Sequence, residues 1–389
     1  MVTRIGVIGT GMMGCEHIRN VNANSNAVIT AISDPHEEPL EWARQALGAD
    51  NSVAEFRDHR DLLNSGEVDA VVVASPNFTH HALLLDVLNT DIPVLVEKPM
   101  CTTVEHCQEV VALAQQRSAL TWVGLEYRYM TPIARLLDVV NSGELGEVKM
   151  LSIREHRFPF LKKVNDWNRF SRNTGGTLVE KCCHFFDLMN LIAQSPPVRV
   201  MASGAQDVNH LDEFYDGERS DILDNAYVIV EFANSMRAML DLSMFAEVGR
   251  NEQEIAVVGS LGKAEAHIPG PGHIYVGNRS SRDIRKIDAT MSSEVAYAGA
   301  HFGASYVEID KFVNAVNVNG KADVTVNDGL WSVVLGVAAH RAIDEQRVVE
   351  IAEFTLQKYL LNPRKSFVRS LVCGKSESSK FLQINTPLH

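Results

Sequence analysis

The sequence predicts an α/β protein of two domains, and three observations support this prediction. The chain has 389 residues, more than a single hydrophobic core usually organises. Up to about Gly124, short apolar runs alternate with amphipathic stretches, which is typical of parallel strands joined by helices. After Gly146, longer segments alternate polar and apolar residues, which indicates a large, mostly antiparallel sheet. We therefore expect domains over residues 1–124 and 125–361, followed by a polar tail over residues 362–389.

The individual elements follow from these patterns. The strands of the first domain are predicted from the runs RIGVIG, AVITAIS, DAVVVAS, PVLVE and LTWVG. In the second domain, EVKMLSIREHRF predicts a half-buried strand, and AYVIVEFANSMRAMLDLSMF predicts a hairpin that turns at Asn234 and Ser235. Helical periodicity returns in TLVEKCCHFFDLMNLI, SYVEIDKFVNAV and DGLWSVVLGVAAHRAI. We expect these helices to cover one face of the second sheet.

Composition and charge exclude several classes of protein. The formal net charge of -13 disfavours a nucleic-acid partner, because neutralising phosphates requires clustered Lys and Arg. No apolar run is long enough to cross a bilayer, and the start MVTRIGVIGTGMMG leads directly into a predicted strand, without room for a signal peptide. The six cysteines are too few and too irregularly spaced for a disulfide scaffold or a zinc site. We expect a cytoplasmic protein without a bound metal or a membrane partner, acting on a small molecule.

A glycine-rich turn follows the first predicted strand and opens a predicted helix. In its GxGxxG pattern, Gly11 lets the backbone approach a pyrophosphate, while the helix start supplies amide donors. Asp34 ends the second predicted strand, twenty residues after Gly14, where its carboxylate can accept hydrogen bonds from the adenine ribose. Because this carboxylate repels a 2′-phosphate and no Arg follows it closely, NAD is favoured over NADP. The predicted cofactor contacts in the turn are Gly9, Gly11, Met12, Met13 and Gly14.

Two further segments end predicted strands at the same edge of the sheet, where open α/β sheets bind ligands. The stretch ASPNFTHHA could line the cofactor, although a turn without a ligand is the alternative. EKP contains Lys98, which could stabilise an alkoxide or deliver a proton if burial lowers its pKa; a solvated lysine is the alternative. The candidates for cofactor contact in these segments are Ser75, Pro76, Asn77, His80, Glu97 and Lys98.

The stretch GGTLVEKCCHFFD combines acid/base groups with two thiols. Glu180 and His184 lie four residues apart on a predicted helix, where a carboxylate can fix the tautomer of an imidazole and raise its basicity. Cys182 and Cys183 diverge on a helix, so they cannot converge on a metal and are best explained as buried fillers. We interpret the stretch as an acid/base helix with bystander thiols. A purely structural Glu–His pair and a reactive Cys182 thiol remain as alternatives.

The glycine turn, EKP and GGTLVEKCCHFFD together resemble the Gfo/Idh/MocA family of NAD(P)-dependent sugar and polyol oxidoreductases, over roughly residues 3–350. The resemblance implies an N-terminal Rossmann domain and a C-terminal α/β domain whose sheet builds a homodimer or homotetramer. It also implies that Lys98 is the catalytic lysine and His184 the acid/base group. Glu180 stands where the family has Asp, and Cys182 where it has Gly, which reshapes the substrate pocket.

Two more segments supply candidates around the substrate. GLEYRYMTP resembles the family's stretch after the sixth strand, where Arg128 could reach the cofactor or the substrate. DWNRFSRNTGG brings Trp167 and Arg169 before the catalytic helix, as a stacking and hydrogen-bonding edge for a polyol; a surface role is the alternative. The predicted substrate contacts are Lys98, Tyr127, Trp167, Arg169, Glu180 and His184.

These residues predict an NAD-dependent dehydrogenase that acts on a secondary hydroxyl of a sugar, cyclic polyol or sugar derivative. His184 would take the hydroxyl proton, Lys98 would hold the developing alkoxide, and Glu180 would orient His184. Two alternatives remain. One is redox-neutral glycoside cleavage or elimination with transient oxidation by tightly held NAD, and the other is an NAD-binding sensor without turnover.

Overall fold

The computed structural model describes residues 2–48 and 52–354. Its first sheet has six strands: β1 (Thr3–Ile8), β2 (Ala27–Ser33), β3 (Ala54–Phe56), β4 (Ala70–Val73), β5 (Val94–Glu97) and β6 (Thr121–Gly124). All pairs are parallel, in the order β3-β2-β1-β4-β5-β6. This is the strand order of a Rossmann domain, which confirms the predicted fold class. Only β3 was missed, because three half-exposed residues leave no periodic signal.

Five helices connect these strands. They are α1 (Met12–Asn22), α2 (Glu37–Leu47), α3 (His59–Asn64), α4 (His80–Leu88) and α5 (Val104–Ala114). In a sheet of this kind the carboxyl ends of the strands form one edge, and the order reverses between β1 and β4. The glycine turn after β1 and the segments after β2, β4 and β5 therefore meet at the edge that the sequence predicted as the ligand edge.

The second domain contains eleven strands among the described residues: β7 (Val148–His156), β8 (Pro197–Ala205), β9 (Phe214–Tyr215), β10 (Glu218–Arg219), β11 (Asn225–Phe232), β12 (Arg237–Ser243), β13 (Gln253–Gly259), β14 (Gly262–Ile268), β15 (His273–Asn278), β16 (Ile284–Asp288) and β17 (Val349–Glu350). β9 and β10 form a separate hairpin, and the others form one sheet in the order β16-β15-β14-β13-β7-β12-β11-β8-β17. Only β7 and β12 pair in parallel, so the sheet is mostly antiparallel, as predicted. The β11–β12 hairpin turns as predicted, with Ser235 left-handed at φ 65°.

Among the described residues, six α-helices follow β6. They are α6 (Thr131–Asn141), α7 (Ser171–Thr174), α8 (Thr177–Glu180), α9 (Cys183–Ala193), α10 (Ala304–Asn317) and α11 (Val326–Asp344). The prediction of one continuous helix over TLVEKCCHFFDLMNLI was wrong, because the helix is interrupted between Glu180 and Cys183. None of the helices within residues 2–48 and 52–354 is both long enough and apolar enough to span a membrane.

The placement of α10 also differs from the prediction. This helix packs on the first domain, against α1 and β1, rather than on the second sheet. Its buried Phe312 meets Trp122 of β6 edge to face at 6.2 Å, and Asn24 after α1 donates to Asp310 at 2.9 Å. α11 contacts both α5 and β8, so it joins the two domains. Periodicity identified the apolar faces of these helices, but it contains no information about which sheet they cover.

One face of the large sheet has no helix over part of its area. The buried face of β11 and β12 carries Val228, Val230 and Leu240, which are fully buried. On the opposite face, apolar side chains stay 38–62% exposed: Met150, Tyr227, Ile229 and Met239. The strand register places these four on one surface, because Ile229 pairs with Met239 and β12 pairs alongside β7. We call this group the open sheet face.

Candidate active site

The three glycines of the turn have different roles. A Cβ on Gly9, whose φ is +88°, would lie 2.6 Å from the backbone of Ser75, and one on Gly14 would lie 2.1 Å from the carbonyl of Gly9. These two glycines therefore allow the turn, α1 and β4 to pack closely. Gly11 has nothing within 4 Å of that position, and no side chain caps the start of α1 there. The free amide groups of the helix start thus face open space that can hold a phosphate.

Asp34 is held at the end of β2 beside the glycine turn. Its Oδ2 accepts a hydrogen bond from the backbone amide of Thr10 at 2.9 Å, and its Oδ1 accepts one from the amide of His36 at 3.0 Å. The side chain is thereby fixed in one orientation while each oxygen keeps another lone pair. This is the position that the sequence predicted for a carboxylate beside a ribose.

The segment after β4 forms the opposite wall of the crevice. A single 3₁₀ turn runs over Asn77–Thr79, and the hydroxyl groups of Ser75 and Thr79 lie 2.7 Å apart. Pro76 precedes the turn, and its carbonyl accepts from the amide of Thr79. The amide nitrogen Nδ2 of Asn77 is buried, with no hydrogen-bond partner in the described part of the chain. A buried donor without a partner is costly, so a bound ligand that accepts from it would complete the site.

His80 corrects one of the sequence-based predictions. Its ring is fully buried, with Nδ1 2.9 Å from the carbonyl oxygen of Pro99 and Nε2 2.9 Å from that of Ser75. Neither ring nitrogen remains for a cofactor. His80 instead joins the segment after β4 to the segment after β5, and so supports the two walls of the crevice. Burial lowers the pKa of this imidazole, whereas its hydrogen bonds to the two carbonyl oxygens act to raise it.

Glu97 also uses its carboxylate within the protein rather than for direct cofactor contact. Oε1 lies 2.7 Å from Nε2 of His17 on α1, and Oε2 accepts from the backbone amide of Lys98 at 3.1 Å. Burial by itself would raise the pKa of Glu97, but the hydrogen bond from His17 lowers it to about 2. Burial opposes protonation of His17, yet its pKa is raised by Glu97. The resulting ion pair fixes the end of β5 against α1, directly before the predicted catalytic lysine.

Lys98 extends from the end of β5 towards the broken helix. Its Nζ donates to the carbonyl oxygen of Glu180 at 3.4 Å. Within the described ranges, no carboxylate lies at ion-pair distance from this ammonium group. Burial lowers the pKa of Lys98, but the charges around it, including the carboxylate of Glu97, more than offset this, so the pKa is raised. Contrary to the expectation of a lowered pKa, Lys98 is a charged hydrogen-bond donor suited to holding an oxyanion.

His184 lies on the first turn of α9, with Tyr127 packed on its ring. The two rings are stacked, with centroids 3.8 Å apart. Nδ1 of His184 is buried and has no hydrogen-bond partner among the described residues. Burial lowers the pKa of His184 well below its ordinary value, and the charges of Lys98 and Lys181 lower it further. The imidazole is therefore neutral at pH 7, as a proton acceptor must be.

Glu180 does not orient His184, although the sequence spacing predicted this. The helix is broken between them, and no hydrogen bond joins the two side chains. Oε1 of Glu180 instead lies 3.5 Å from Nζ of Lys163, while Oε2 is buried and has no partner within residues 2–48 and 52–354. Lys163 belongs to an irregular loop, where no sequence pattern marked it. Glu180 therefore contributes both its backbone carbonyl, which Lys98 contacts, and its carboxylate, which Lys163 contacts. Oε2 of this carboxylate is the oxygen that lacks a partner.

A buried ion-pair group under Tyr127 was also missed by sequence reasoning. Nζ of Lys181 donates to the hydroxyl of Tyr127 at 2.8 Å and lies 2.7 Å from Oε1 of Glu155. Arg157 lies 3.3 Å from the same carboxylate oxygen. A signal did exist, because Glu155 occupies an inward position of β7, in register with Leu151 and Ile153. A charged residue at such a position requires a buried partner.

Arg128 and Arg169 each form an ion pair within the protein, which differs from the ligand contact predicted for Arg128. Nε of Arg128 donates to Asp187 at 2.6 Å, and its Nη1 donates to the carbonyl of Asp323 at 3.1 Å. Nε of Arg169 donates to Glu213 at 2.9 Å. Both guanidinium groups are almost completely buried. Charges this well buried are held by ion pairs. Nη1 of Arg169 nevertheless has no hydrogen-bond partner among the described residues, so the substrate contact of Arg169 stays a prediction.

Trp167 packs between the segment after β4 and the loop that carries Lys163. Its ring meets Phe78, from the segment after β4, edge to face at 6.2 Å. Nζ of Lys163 lies 4.7 Å from the centre of the same ring. Trp167 is therefore next to the Lys163–Glu180 pair, on the side of the crevice formed by the second domain.

The thiols of the broken helix are buried fillers. Cys182 and Cys183 are both fully buried. Burial raises the pKa of Cys183 to about 12 and that of Cys182 well above its ordinary value, so both are un-ionised at pH 7. Across residues 2–48 and 52–354, no group of three or more His, Cys, Asp and Glu side chains is arranged to hold a metal ion.

Comparison with known proteins agrees with this geometry. The family model described as an oxidoreductase family with an NAD-binding Rossmann fold matches residues 3–125. The model of the C-terminal alpha/beta domain of the same family matches residues 138–351. The chain belongs to the Gfo/Idh/MocA oxidoreductase family. It is therefore an NAD-binding oxidoreductase, and the predicted cofactor and fold class are confirmed.

Relatives of this Gfo/Idh/MocA protein include named dehydrogenases. Myo-inositol 2-dehydrogenase of Thermotoga maritima is 26% identical over 90% of this chain and 99% of its own length. Inositol 2-dehydrogenase 2 of Saccharopolyspora erythraea is 31% identical over 69% of this chain and 74% of its own. The structure of a levoglucosan dehydrogenase in complex with NADH and levoglucosan has the same fold, with a TM-score of 0.78, 17% identity, and coverage of 90% of this chain and 100% of that one.

The site of this Gfo/Idh/MocA protein thus connects the two domains by direct contacts. Lys98 of the Rossmann domain reaches the Glu180 carbonyl of the second domain. Within the second domain, Tyr127 stacks on His184 of α9. A charged donor and a neutral imidazole are in this way supplied from opposite sides of one crevice.

Proposed function

We propose that this protein oxidises a secondary hydroxyl group of a sugar, a cyclic polyol or a sugar derivative with NAD. The observation that supports it most is that Nζ of Lys98, at the ligand edge of the sheet, reaches the carbonyl of Glu180 directly before the helix that carries the buried His184. Alcohol oxidation needs one group to accept the hydroxyl proton and another to stabilise the developing negative charge. The relatives named as inositol and levoglucosan dehydrogenases support the substrate class.

The residues of the crevice fit a dinucleotide. The amide groups at the start of α1, in front of the open space at Gly11, would bind the pyrophosphate. Asp34 would accept hydrogen bonds from the adenine ribose, and the unpartnered Nδ2 of Asn77 would donate to the nicotinamide half. When bound, NAD supplies the acceptor for the hydride of the carbinol carbon.

In the proposed reaction, the hydroxyl proton of the substrate moves to the imidazole of His184. Nζ of Lys98 donates a hydrogen bond to the oxygen as its negative charge develops. The stacked ring of Tyr127 keeps the imidazole in a fixed plane, so the proton acceptor is oriented before the substrate binds. The free oxygen of Glu180 is placed to accept from a second substrate hydroxyl, because burial leaves it without any other donor.

A screen of polyols and aldoses with NAD tests the proposal, with NADH formation followed by absorbance. We expect at least one neutral polyol or sugar to give stoichiometric NADH. Catalytic product formation without net NADH would support the redox-neutral alternative. Binding of NAD without turnover of any substrate would support the sensor.

Two variants test the assigned roles in the same assay. His184→Ala should lower kcat by about 10² to 10⁴-fold, the usual loss for a general base, while NAD affinity changes little. Lys98→Met should lower kcat strongly as well, and Lys98→Arg should retain more activity because it keeps a charged donor. If either His184→Ala or Lys98→Met keeps wild-type kcat, the corresponding role is wrong.

A further inference from the structure

Glu180 is contacted by two lysines that come from different domains. Nζ of Lys98, at the end of β5, donates to its backbone carbonyl at 3.4 Å. Nζ of Lys163, from the loop between β7 and α7, lies 3.5 Å from Oε1 of its carboxylate. Burial lowers the pKa of Lys163, Glu180 acts to raise it, and the charge of Lys98 lowers it further. Lys163 therefore lies within electrostatic range of the proposed oxyanion donor.

The ammonium group of Lys163 is positioned by an aromatic ring. Its Nζ lies 4.7 Å from the ring centre of Trp167. Trp167 packs edge to face on Phe78 at 6.2 Å, and its carbonyl accepts from Nδ2 of Asn173 at 2.9 Å. An aromatic face attracts a cation through the charge distribution of the ring rather than through a conventional hydrogen bond. Trp167 thus holds the ammonium group near Glu180 and leaves N–H donors available.

Both members of the Lys163–Glu180 pair have unused hydrogen-bonding capacity. An ammonium group has three N–H donors, and Glu180 is the only polar partner of Nζ of Lys163 among the described residues. The side chain of Lys163 is 30% exposed, whereas that of Glu180 is only 4% exposed. Oε2 of Glu180 has no hydrogen-bond partner in the same part of the chain. A buried acceptor of this kind is costly, so a ligand that donates to it would complete the site.

A hydroxyl group matches this pair, because it is both a donor and an acceptor. It can donate its proton to Oε2 of Glu180 and accept a hydrogen bond from Nζ of Lys163. An ether or carbonyl oxygen can only accept, and a hydrogen atom in place of the hydroxyl can do neither. A carboxylate has no proton to donate at pH 7 and would meet Oε2 as a like charge. The pair therefore favours a neutral ligand that presents a hydroxyl group.

We propose that Lys163 is a specificity-determining residue, which together with Glu180 recognises one substrate hydroxyl other than the hydroxyl that is oxidised. Lys163 donates to this second hydroxyl, and Glu180 accepts its proton in a hydrogen bond. The inference rests on the proposed oxidation at Lys98 and His184. A compound whose only hydroxyl is the one oxidised lacks this contact, so the preferred substrates are polyhydroxylated rings rather than simple alcohols.

Binding of compounds that lack single hydroxyl groups is the first test. Dissociation constants for the wild-type protein are measured by calorimetry in the presence of NADH. The ligands are myo-inositol, glucose and the mono-deoxy derivatives of each. The derivative that lacks the recognised hydroxyl should bind about 10- to 100-fold more weakly than its parent, the range for a hydrogen bond to a charged group. If neither parent binds, or if no derivative binds more weakly than its parent, the proposal is overturned.

Matched lysine variants are the second test. Lys163→Met removes the donor and keeps an apolar stem. It should weaken binding of the parent about 10-fold or more, towards the level of that derivative, and leave the derivative itself unchanged. Lys163→Arg keeps a charged donor and should keep part of the difference. Lys162→Met should keep all of it, because the neighbouring Lys162 is exposed and pairs only with Asp166, at 3.9 Å.

The same variants separate recognition of the hydroxyl from a purely structural role. If Lys163 only neutralised Glu180, Lys163→Met would weaken the parent and all derivatives by the same factor, and that result would overturn the proposal. The derivative that lacks the oxidised hydroxyl is the internal control. It should give no NADH, and its binding deficit should persist in Lys163→Met, because that hydroxyl is held at Lys98 and His184.

The two proposals can fail separately. NADH formation from a parent compound, with every binding deficit unchanged in Lys163→Met, would refute the role of Lys163 and leave the dehydrogenase proposal standing. A binding deficit that disappears in Lys163→Met, without oxidation of either parent, would support the recognition of the hydroxyl and refute the proposed reaction.

Discussion

The imidazole ring of His184 is stacked on the phenol ring of Tyr127, with centroids 3.8 Å apart and planes inclined by only 2°. Tyr127 is itself held by the hydrogen bond from Lys181, at 2.8 Å. The imidazole of His184 is thus oriented by an aromatic neighbour from the segment after β6, rather than by the carboxylate that the sequence suggested. This arrangement leads to the first prediction.

Tyr127→Ala should lower kcat by about 10²-fold, the size of effect that misplacing a reacting group by about 1 Å produces. Tyr127→Phe should lose much less, because the stack persists and only the hydrogen bond with Lys181 is removed. Steady-state kinetics, with melting temperatures to verify folding, provide the measurement. Equal losses in the two variants would assign the effect to the hydroxyl group instead of the stack.

The pH profile should reflect the depressed pKa of His184. Since the imidazole must be neutral to accept a proton, activity should persist below pH 6.5, the ordinary value, and decline only at lower pH. Lys181→Met removes a positive charge that helps to lower this pKa, so the acidic limb of kcat/KM should move to higher pH. Lys162→Met is the control, because Lys162 is exposed and pairs only at 3.9 Å with Asp166. If the acidic limb of kcat/KM lies at the same pH in Lys181→Met as in the wild type, the assignment of His184 as the base is contradicted.

Cofactor choice should depend on Asp34. Because its carboxylate is fixed by the amides of Thr10 and His36, it cannot easily move away from a 2′-phosphate. We expect kcat/KM to be higher with NAD than with NADP. Asp34→Ser should bring the two kcat/KM values closer together, because the repulsion of the 2′-phosphate and the hydrogen bonds to the ribose are lost together. Asp34→Asn, which keeps an acceptor but removes the charge, separates the two contributions. A wild-type preference for NADP would refute the prediction.

Neither the thiols of Cys182 and Cys183 nor a metal ion should be needed for activity. Cys182→Ala and Cys183→Ser should retain most activity, because burial keeps both thiols protonated. Chelators should leave kcat unchanged. The decisive comparison is with His184→Ala: if Cys182→Ala is equally damaging in a folded protein, the cysteines carry the chemistry.

The open sheet face should mediate a homodimer or homotetramer. Its exposed apolar side chains form one surface, made of Met150, Tyr227, Ile229 and Met239. Exposing this apolar surface to water costs free energy, which burial in an interface would recover. Tyr227→Glu combined with Ile229→Lys should shift the mass measured by light scattering towards the monomer. Val248→Lys, at a fully exposed loop position, is the control. A wild-type monomer at all concentrations would exclude the assembly.

The sequence by itself determined the Rossmann edge of the site. Gly9, Gly11 and Gly14 act through local backbone geometry, and Asp34 and Lys98 follow strands whose ends must meet at one edge of a parallel sheet. Such features depend on short-range sequence order, so patterns reveal them. The two domains and the mostly antiparallel second sheet followed from period-two alternation for the same reason.

Only the tertiary structure decided which partners the buried polar side chains have. Spacing suggested that Glu180 orients His184, yet Glu180 pairs with Lys163 from a loop and His184 stacks on Tyr127. The choice of partner for a desolvated charge depends on every group that packing brings near it. For the same reason Arg128, for which the sequence predicted a ligand contact, forms an ion pair inside the protein instead. A pattern identifies residues able to do chemistry, whereas the pKa and orientation of each group follow from neighbours distant in the chain.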